Sequence, residues 1–295
     1  MMPQIIRDSR LTLEKSPWGT LRQGVLFCGA AADGYSECEV HGLIITAQCD
    51  LAQEKVSVVN FLPVVKLRDW LARDFANILV RRLQAQIIGG FKNLLKEAGH
   101  SPSILETEPI ENIVSTLLSD ESTKAASKRT SRAQERLAEF AFCSGLLAES
   151  VISPSQLEGL RGVDKSAYNR LLSELFKNQL SGYYFIPAVD PTGVHSGFVV
   201  LLRQIYHLPY LTALSIVNGM SPREQRDSDP TGMSLVRLDY SEGTFAMPVG
   251  MLTSPFREHL MQAFAILYSR IGIQDLEESY MEQLQHSANE TEESA

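Results

Sequence analysis

The sequence has few cysteines, little positive charge and no long apolar run, and each shortage excludes a class of protein. Four cysteines in 295 residues are too few for a disulfide framework, so we expect free thiols in a reducing compartment. No stretch approaches the roughly 18 consecutive apolar residues of a membrane span. The N-terminal MMPQIIRDSR also lacks the apolar core of a signal peptide. These absences predict a cytoplasmic protein with no membrane partner.

The charge balance is acidic, with 27 Lys and Arg against 35 Asp and Glu and a net charge of −8. This negative net charge argues against a protein whose whole surface binds nucleic acid or another polyphosphate. Seven acidic residues and no Lys or Arg lie in 275–295, so the rest of the chain is nearly neutral. We predict that the last dozen residues of this acidic tail are disordered, because few of them are apolar.

Apolar periodicity divides the chain into a sheet region, a helical region and a second sheet region. Residues 20–65 hold three short runs rich in Val, Ile, Leu and Phe, the pattern of a compact antiparallel sheet or small barrel. Strand patterns return at 183–206 and around 235–249. A stripe of apolar residues that starts at Phe256 predicts a final helix over 254–271.

The region between the two sheet regions shows the three- and four-residue spacing of helices, starting at Leu67. Gly89 and Gly90 are predicted to interrupt the first helix, and residues 119–131 to form a solvated linker. Ser153 before Pro154, and Asp164, are predicted helix starts whose side-chain oxygens accept free backbone N–H groups.

Strands on both sides of a helical block would leave unpaired edges if the two sheet regions folded separately. We therefore predict an α+β protein in which one antiparallel β system is interrupted by a large helical insertion and closed by a C-terminal helix. Residues 18–65 and 183–274 form the barrel-like domain with its closing helix, 66–182 form the insertion, and 275–295 form the acidic tail.

Polar residues cluster where a buried strand is predicted to end, and they form the candidate catalytic set: His41, Gln48, Cys49, Asp50 and Asn60. In one interpretation Cys49 is a nucleophile, and His41 or Asp50 orients it or accepts its proton. The adjacent carboxylate opposes formation of a thiolate. In the alternative, which we favour, Cys49 is a small buried apolar residue and Asp50 caps the following turn.

Two further sites have weaker patterns. Cys28, Cys38, His41 and Cys49 lack the closely paired spacing of zinc modules, so we predict neither a metal site nor a cofactor. Lys128, Arg129 and Arg132 belong to a basic cluster at 124–136 that is a candidate for binding nucleic acid. No aromatic residues are interleaved for base stacking, so a solvated surface is the favoured interpretation.

The segments RQGVLF, HGLIIT and VNFLPV resemble, in their order, the opening of the PemK/MazF-like toxins. Residues 183–206 and the helix SPFREHLMQAFAILYSRIG resemble parts of uncharacterised bacterial proteins associated with phage-defence gene clusters. The toxin resemblance implies a small SH3-like barrel and RNA cleavage. Those ribonucleases use an Arg just before the second strand and a Thr or Ser shortly after the Pro of the third. Here His41 and Val65 stand at those positions, and Val cannot take part in acid–base chemistry.

Because no catalytic set is complete, we expect a non-enzymatic interaction or regulatory subunit of a bacterial multi-protein system. Antiviral defence or a toxin–antitoxin-like operon is the expected setting, with protein partners encoded nearby. The alternative is an enzyme, either a PemK/MazF-like nuclease or a thiol-dependent hydrolase centred on Cys49. The sequence leaves both classes open.

Overall fold

The computed structural model describes residues 12–16, 18–189, 195–221, 223–224, 237–239 and 245–269. Its strands form one antiparallel, nearly closed, barrel-like sheet in the order β1-β8-β2-β3-β4-β6-β5, and β7 pairs with β4. The strands are β1 (Leu13–Glu14), β2 (Val25–Ala30), β3 (Val40–Ile44), β4 (Val58–Lys66), β5 (Tyr183–Val189), β6 (His195–Leu201), β7 (Tyr206–Pro209) and β8 (Pro248–Leu252). The predicted mixture of helix and antiparallel sheet is confirmed.

Strand β4 joins the early and late parts of the chain. It pairs with β3 along one edge, and along the other edge it pairs first with β7 and then with β6. Its nine residues alternate between the two faces of the sheet. Phe61 and Val65 enter the apolar core on one face, whereas Leu62 and Val64 enter a second core on the other.

The helical insertion packs on the first face of the sheet. It contains α2 (Leu67–Trp70), a π-helical turn (Leu71–Phe75), α3 (Ala76–Glu97), a 3-10 turn (Pro102–Glu106), α4 (Ile110–Leu117), α5 (Lys124–Leu146), α6 (Pro154–Val163) and α7 (Lys165–Phe176). Its apolar side chains share one core with the inward residues of β2, β3 and β4. A short helix, α1 (Gln48–Ala52), lies between β3 and β4.

Two details of the predicted insertion are wrong. Helix α3 runs through Gly89 and Gly90 to Glu97, and the guanidinium of Arg136 occupies the space where a Cβ of Gly90 would lie. The predicted linker 119–131 is helical from Lys124, because the Thr123 hydroxyl accepts the Ala126 backbone N–H at 3.1 Å. The small buried residues of this helix give a weak apolar pattern, which explains why the sequence indicated a loop.

The second face of the sheet is covered by α9 (Phe256–Tyr268), which follows β8, while α8 (Tyr210–Val217) follows β7. Leu260 is buried against Leu26, Leu62 and Val64, and Phe264 packs beside it. None of the described helices is long and apolar enough to cross a membrane. Residues 240–244, within the strand pattern predicted around 235–249, and the acidic tail lie outside the described residues.

We predict that Gly42→Ala destabilises the protein by about 1–3 kcal/mol, the usual cost of overpacking a core. The Phe27 ring packs directly on Gly42 in β3, and an added Cβ would lie 2.2 Å from Phe27 Cζ. The measurement is the free energy of unfolding in urea.

Gly89→Ala is the control, since nothing lies within 4 Å of its added Cβ. It should stabilise α3 by up to about 1 kcal/mol. Equal stability of Gly42→Ala and the parent chain would contradict this packing.

Candidate functional site

Polar groups meet at one end of the sheet, where β3 ends and β4 begins. The Thr46 hydroxyl oxygen accepts the Asn60 backbone N–H at 2.7 Å. The Gln48 side-chain oxygen accepts the Gln23 backbone N–H at 3.1 Å, and the Gln23 amide donates to the Ile45 carbonyl at 3.0 Å. These bonds hold α1 against the strand ends.

Cys49 is exposed on α1, so the favoured prediction of a buried cysteine is wrong. Leu51 is the residue of α1 that enters the core, and this orientation turns Cys49 toward solvent. The Cys49 thiol lies 3.6 Å from the Asp50 carboxylate. Asp50 was predicted to cap the following turn, but among the described residues its side chain bonds to the Cys49 thiol and to no backbone N–H of that turn.

His41 lies near the opposite end of β3, between Cys28 of β2 and Val64 of β4. A strand rises about 3.3 Å per residue, so the backbone at His41 is about 16 Å from Thr46. Gln48, Cys49 and Asp50 follow one another on α1, and the Asn60 backbone bonds to Thr46 at the adjacent strand end. The structure keeps His41 apart from all four.

The His41 imidazole is only 6% exposed and makes an edge contact with Phe198, with the ring centres 5.5 Å apart. Its Nε2 lies 3.5 Å from a carboxylate oxygen of Glu39, which also pairs with Lys66. Within the described residues, its buried Nδ1 has no hydrogen-bond partner. Burial lowers the pKa of His41, and the nearby Glu39 opposes this shift. The imidazole is therefore neutral at pH 7.

The predicted nucleic-acid cations are largely used within the insertion. Arg132 pairs with Glu97 at 3.0 Å. Arg129 is only 17% exposed, and its guanidinium donates to the Glu97 carbonyl at 3.3 Å. Lys128 is exposed. Two of these three cations are thus partnered inside the protein, which leaves less free positive charge than the sequence indicates.

Cys28 and Cys38 line a cavity of about 500 Å³ together with Glu37, Glu39 and Asp239. The Cys28 thiol donates to the Phe245 carbonyl at 3.2 Å. Across the described ranges, no three His, Cys, Asp or Glu side chains are grouped so that they could hold a metal ion. The two thiols share a cavity with carboxylates but are not arranged as metal ligands.

A half-buried polar cluster that the sequence pattern did not predict lies where the insertion leaves the sheet. Asp74, on the π-helical turn, accepts the Tyr35 hydroxyl at 3.0 Å and also interacts with the Tyr183 hydroxyl. Arg73 lies over the Tyr35 ring and donates to the Gly34 carbonyl at 2.9 Å. Burial raises the pKa of Asp74, whereas the two tyrosines and Arg73 act in the opposite direction. The cluster fastens the β2–β3 connection to the helical insertion and to β5.

One signal in the sequence points to this cluster. Asp74 lies four residues after Trp70 and four before Ile78, so a helical spacing puts it within the apolar stripe. A carboxylate on an apolar helix face needs a partner when it is buried. Its tyrosine partners come from distant segments, which the sequence alone does not identify.

Comparison with known protein families, characterised proteins and solved structures finds no match for this chain. The sites are therefore interpreted from their own geometry.

We predict that lowering the pH from 7.5 to 5.5 reduces stability partly through His41. Its pKa is lowered in the folded protein, so below the unfolded value of about 6.5 the unfolded chain binds the proton more readily. Stability is then lost as the pH falls. The free energy of unfolding should depend less steeply on pH in His41→Leu, by at most one bound proton.

The matched control is His207→Leu, because His207 is exposed on β7. It removes one surface imidazole, so the slope of His41→Leu is compared with the slope of this variant. Identical slopes for the parent chain and His41→Leu would show that His41 does not contribute.

Proposed function

We propose that this protein is a non-enzymatic interaction or regulatory subunit of a bacterial multi-protein system. In this proposal the curved sheet is an SH3-like barrel, the protein acts in the cytoplasm, and its partner is a protein encoded nearby. Antiviral defence or a toxin–antitoxin-like operon is the proposed setting. The separation of His41 from Cys49 carries the proposal.

Proton transfer between a thiol and an imidazole needs the two groups at hydrogen-bond distance, about 3 Å apart. His41 instead lies near the start of β3, whereas Cys49 lies on α1, beyond the other end of that strand. His41 is buried, whereas Cys49 is exposed and has the Asp50 carboxylate as its neighbour. This arrangement favours a structural role for His41 and gives Cys49 no imidazole to activate it.

The two positions matched to the ribonuclease residues also argue for binding rather than RNA cleavage. His41 is 6% exposed and Val65 is 0% exposed, so neither faces an open cleft. Val65 points to the core shared with the helical insertion, while its neighbour Val64 points to the other face. A barrel with these residues retains the scaffold of the toxins without their reactive side chains.

Three exposed apolar residues follow one another along the chain at and after the end of α5. We call them the insertion patch: Phe142, Leu147 and Val151, which are 36%, 38% and 43% exposed. The Phe142 ring lies over Gly159 of α6, where an added Cβ would be 2.8 Å from Phe142 Cζ. Exposed apolar side chains are candidates for protein interfaces. The insertion patch is the proposed contact surface for the partner.

The test measures complex formation between the purified full chain and the products of its neighbouring genes. We expect a complex of fixed stoichiometry by light scattering after size exclusion. Leu147→Glu with Val151→Glu should weaken it at least tenfold by calorimetry, because two charges enter the apolar contact. Leu211→Glu is the matched control, since Leu211 is 75% exposed on α8, outside the patch.

Failure of every neighbouring product to bind, or equal binding by both variants, would contradict the proposal. Circular dichroism and melting temperature show whether the variants remain folded.

A second candidate function is thiol chemistry at Cys49, favoured by the exposure of this residue on α1. It expects RNA cleavage or ester hydrolysis by the purified chain that is lost in Cys49→Ser and retained in Cys28→Ser. Activity with that pattern would replace the interaction proposal.

A further inference from the structure

A groove of about 450 Å³ lies between α9 and the segment that leads into β5. Its polar side includes Ser181, Arg203, His259 and Gln262, and its apolar side includes Ile266, which is 48% exposed. None of the described residues that line it is Asp or Glu. The groove therefore suits a ligand that combines negative charge with apolar groups.

Arg203 is the main charged group of the groove. Its guanidinium donates to the Ser181 hydroxyl at 3.3 Å. Gly182 has a φ of +91°, and a Cβ there would lie 2.8 Å from Arg203 Nε, so glycine leaves room for this side chain. Within the described part of the chain no carboxylate forms an ion pair with Arg203. A guanidinium has five N–H donors, so donors remain for a carboxylate ligand.

We infer that this groove binds the acidic tail of the same chain, residues 275–295. The tail carries seven acidic residues and no Lys or Arg, and its first part also contains Leu276, Tyr280 and Met281. These side chains match the two sides of the groove, with carboxylates for Arg203 and apolar groups for Ile266.

The end of α9 also lies next to the groove, so the tail starts close to it. The Tyr268 hydroxyl donates to the carbonyl of Leu202 at 3.1 Å, and Leu202 itself lines the groove. Leu276 is seven residues after Ser269 in the chain, a distance of up to about 25 Å when extended. The tail can therefore reach the groove within one molecule.

The contact depends on salt, because the groove is open to solvent. The screening length falls from about 10 Å at 0.1 M salt to about 3 Å at 1 M. High salt weakens the pairing of the tail carboxylates with Arg203 and leaves the apolar contact in place.

The test is photo-cross-linking of the full chain with p-benzoylphenylalanine in place of Gln262, a groove residue that is exposed. No Lys or Arg follows Arg270, so trypsin releases residues 271–295 as one peptide. At 0.1 M salt we expect a cross-link from position 262 to this peptide within the monomer. Its yield should fall at least fivefold at 1 M salt or in Arg203→Glu.

Arg81→Glu is the matched control, because Arg81 is exposed on α3 and does not line the groove. It makes the same charge change and should keep the cross-link. If Arg203→Glu disturbs folding, the combined change Glu277→Gln, Glu278→Gln and Glu282→Gln leaves the groove intact and should give the same loss.

Absence of the cross-link, or a yield that neither set of changes lowers, would overturn the inference. A cross-link found only between two molecules would overturn it as well, because the occupant would then be a second copy. These outcomes concern the tail alone and are independent of whether the insertion patch binds a partner.

Discussion

The pairing of strand β4 on both of its edges fixes how the other elements of the structure pack. It is hydrogen-bonded along both edges, to β3 from the early part of the chain and to β6 and β7 from the late part. Both of its faces are buried, since Phe61 and Val65 enter one core and Leu62 and Val64 enter the other. A shift of one residue would exchange these two sets between cores of different shape. The register of β4 therefore determines where the helical insertion and α9 can pack.

The two layers that cover the sheet have different roles in the proposed function. The insertion lies on one face and carries the insertion patch, while α9 lies on the other and forms one wall of the groove. The Tyr35–Asp74–Tyr183 cluster ties the insertion to the sheet at its base. In the proposal, the insertion patch is available to a partner, while the groove beside α9 is available to the acidic tail.

Local patterns in the sequence predicted those parts of the fold that local contacts decide. Ser153 and Asp164 cap α6 and α7 through their side chains, as expected from the residues that follow them. The early strands follow their apolar runs. By contrast, Gly89 and Gly90 remain helical because tertiary packing of α3, including Arg136 over Gly90, outweighs their low helix propensity.

The candidate site was predicted less well, because its geometry depends on contacts between distant segments. Gln48, Cys49 and Asp50 lie on α1, next to the strand end where the Asn60 backbone bonds to Thr46. The exposure of Cys49 follows from the orientation of α1, which Leu51 fixes by entering the core. The position of His41 follows from strand direction, which carries it away from Cys49. Asp74 and its tyrosine partners come from three separate segments.

We expect the early and late strands to form one cooperative sheet through β4. Native-state hydrogen exchange of the full chain, followed over increasing denaturant, measures this cooperativity. Backbone amides of β3, β4, β6 and β8 should open with the same free energy and the same denaturant dependence. Opening of the β6 and β8 amides in a separate transition at lower free energy, while β3 and β4 stay protected, would show instead that the late strands fold as an independent unit.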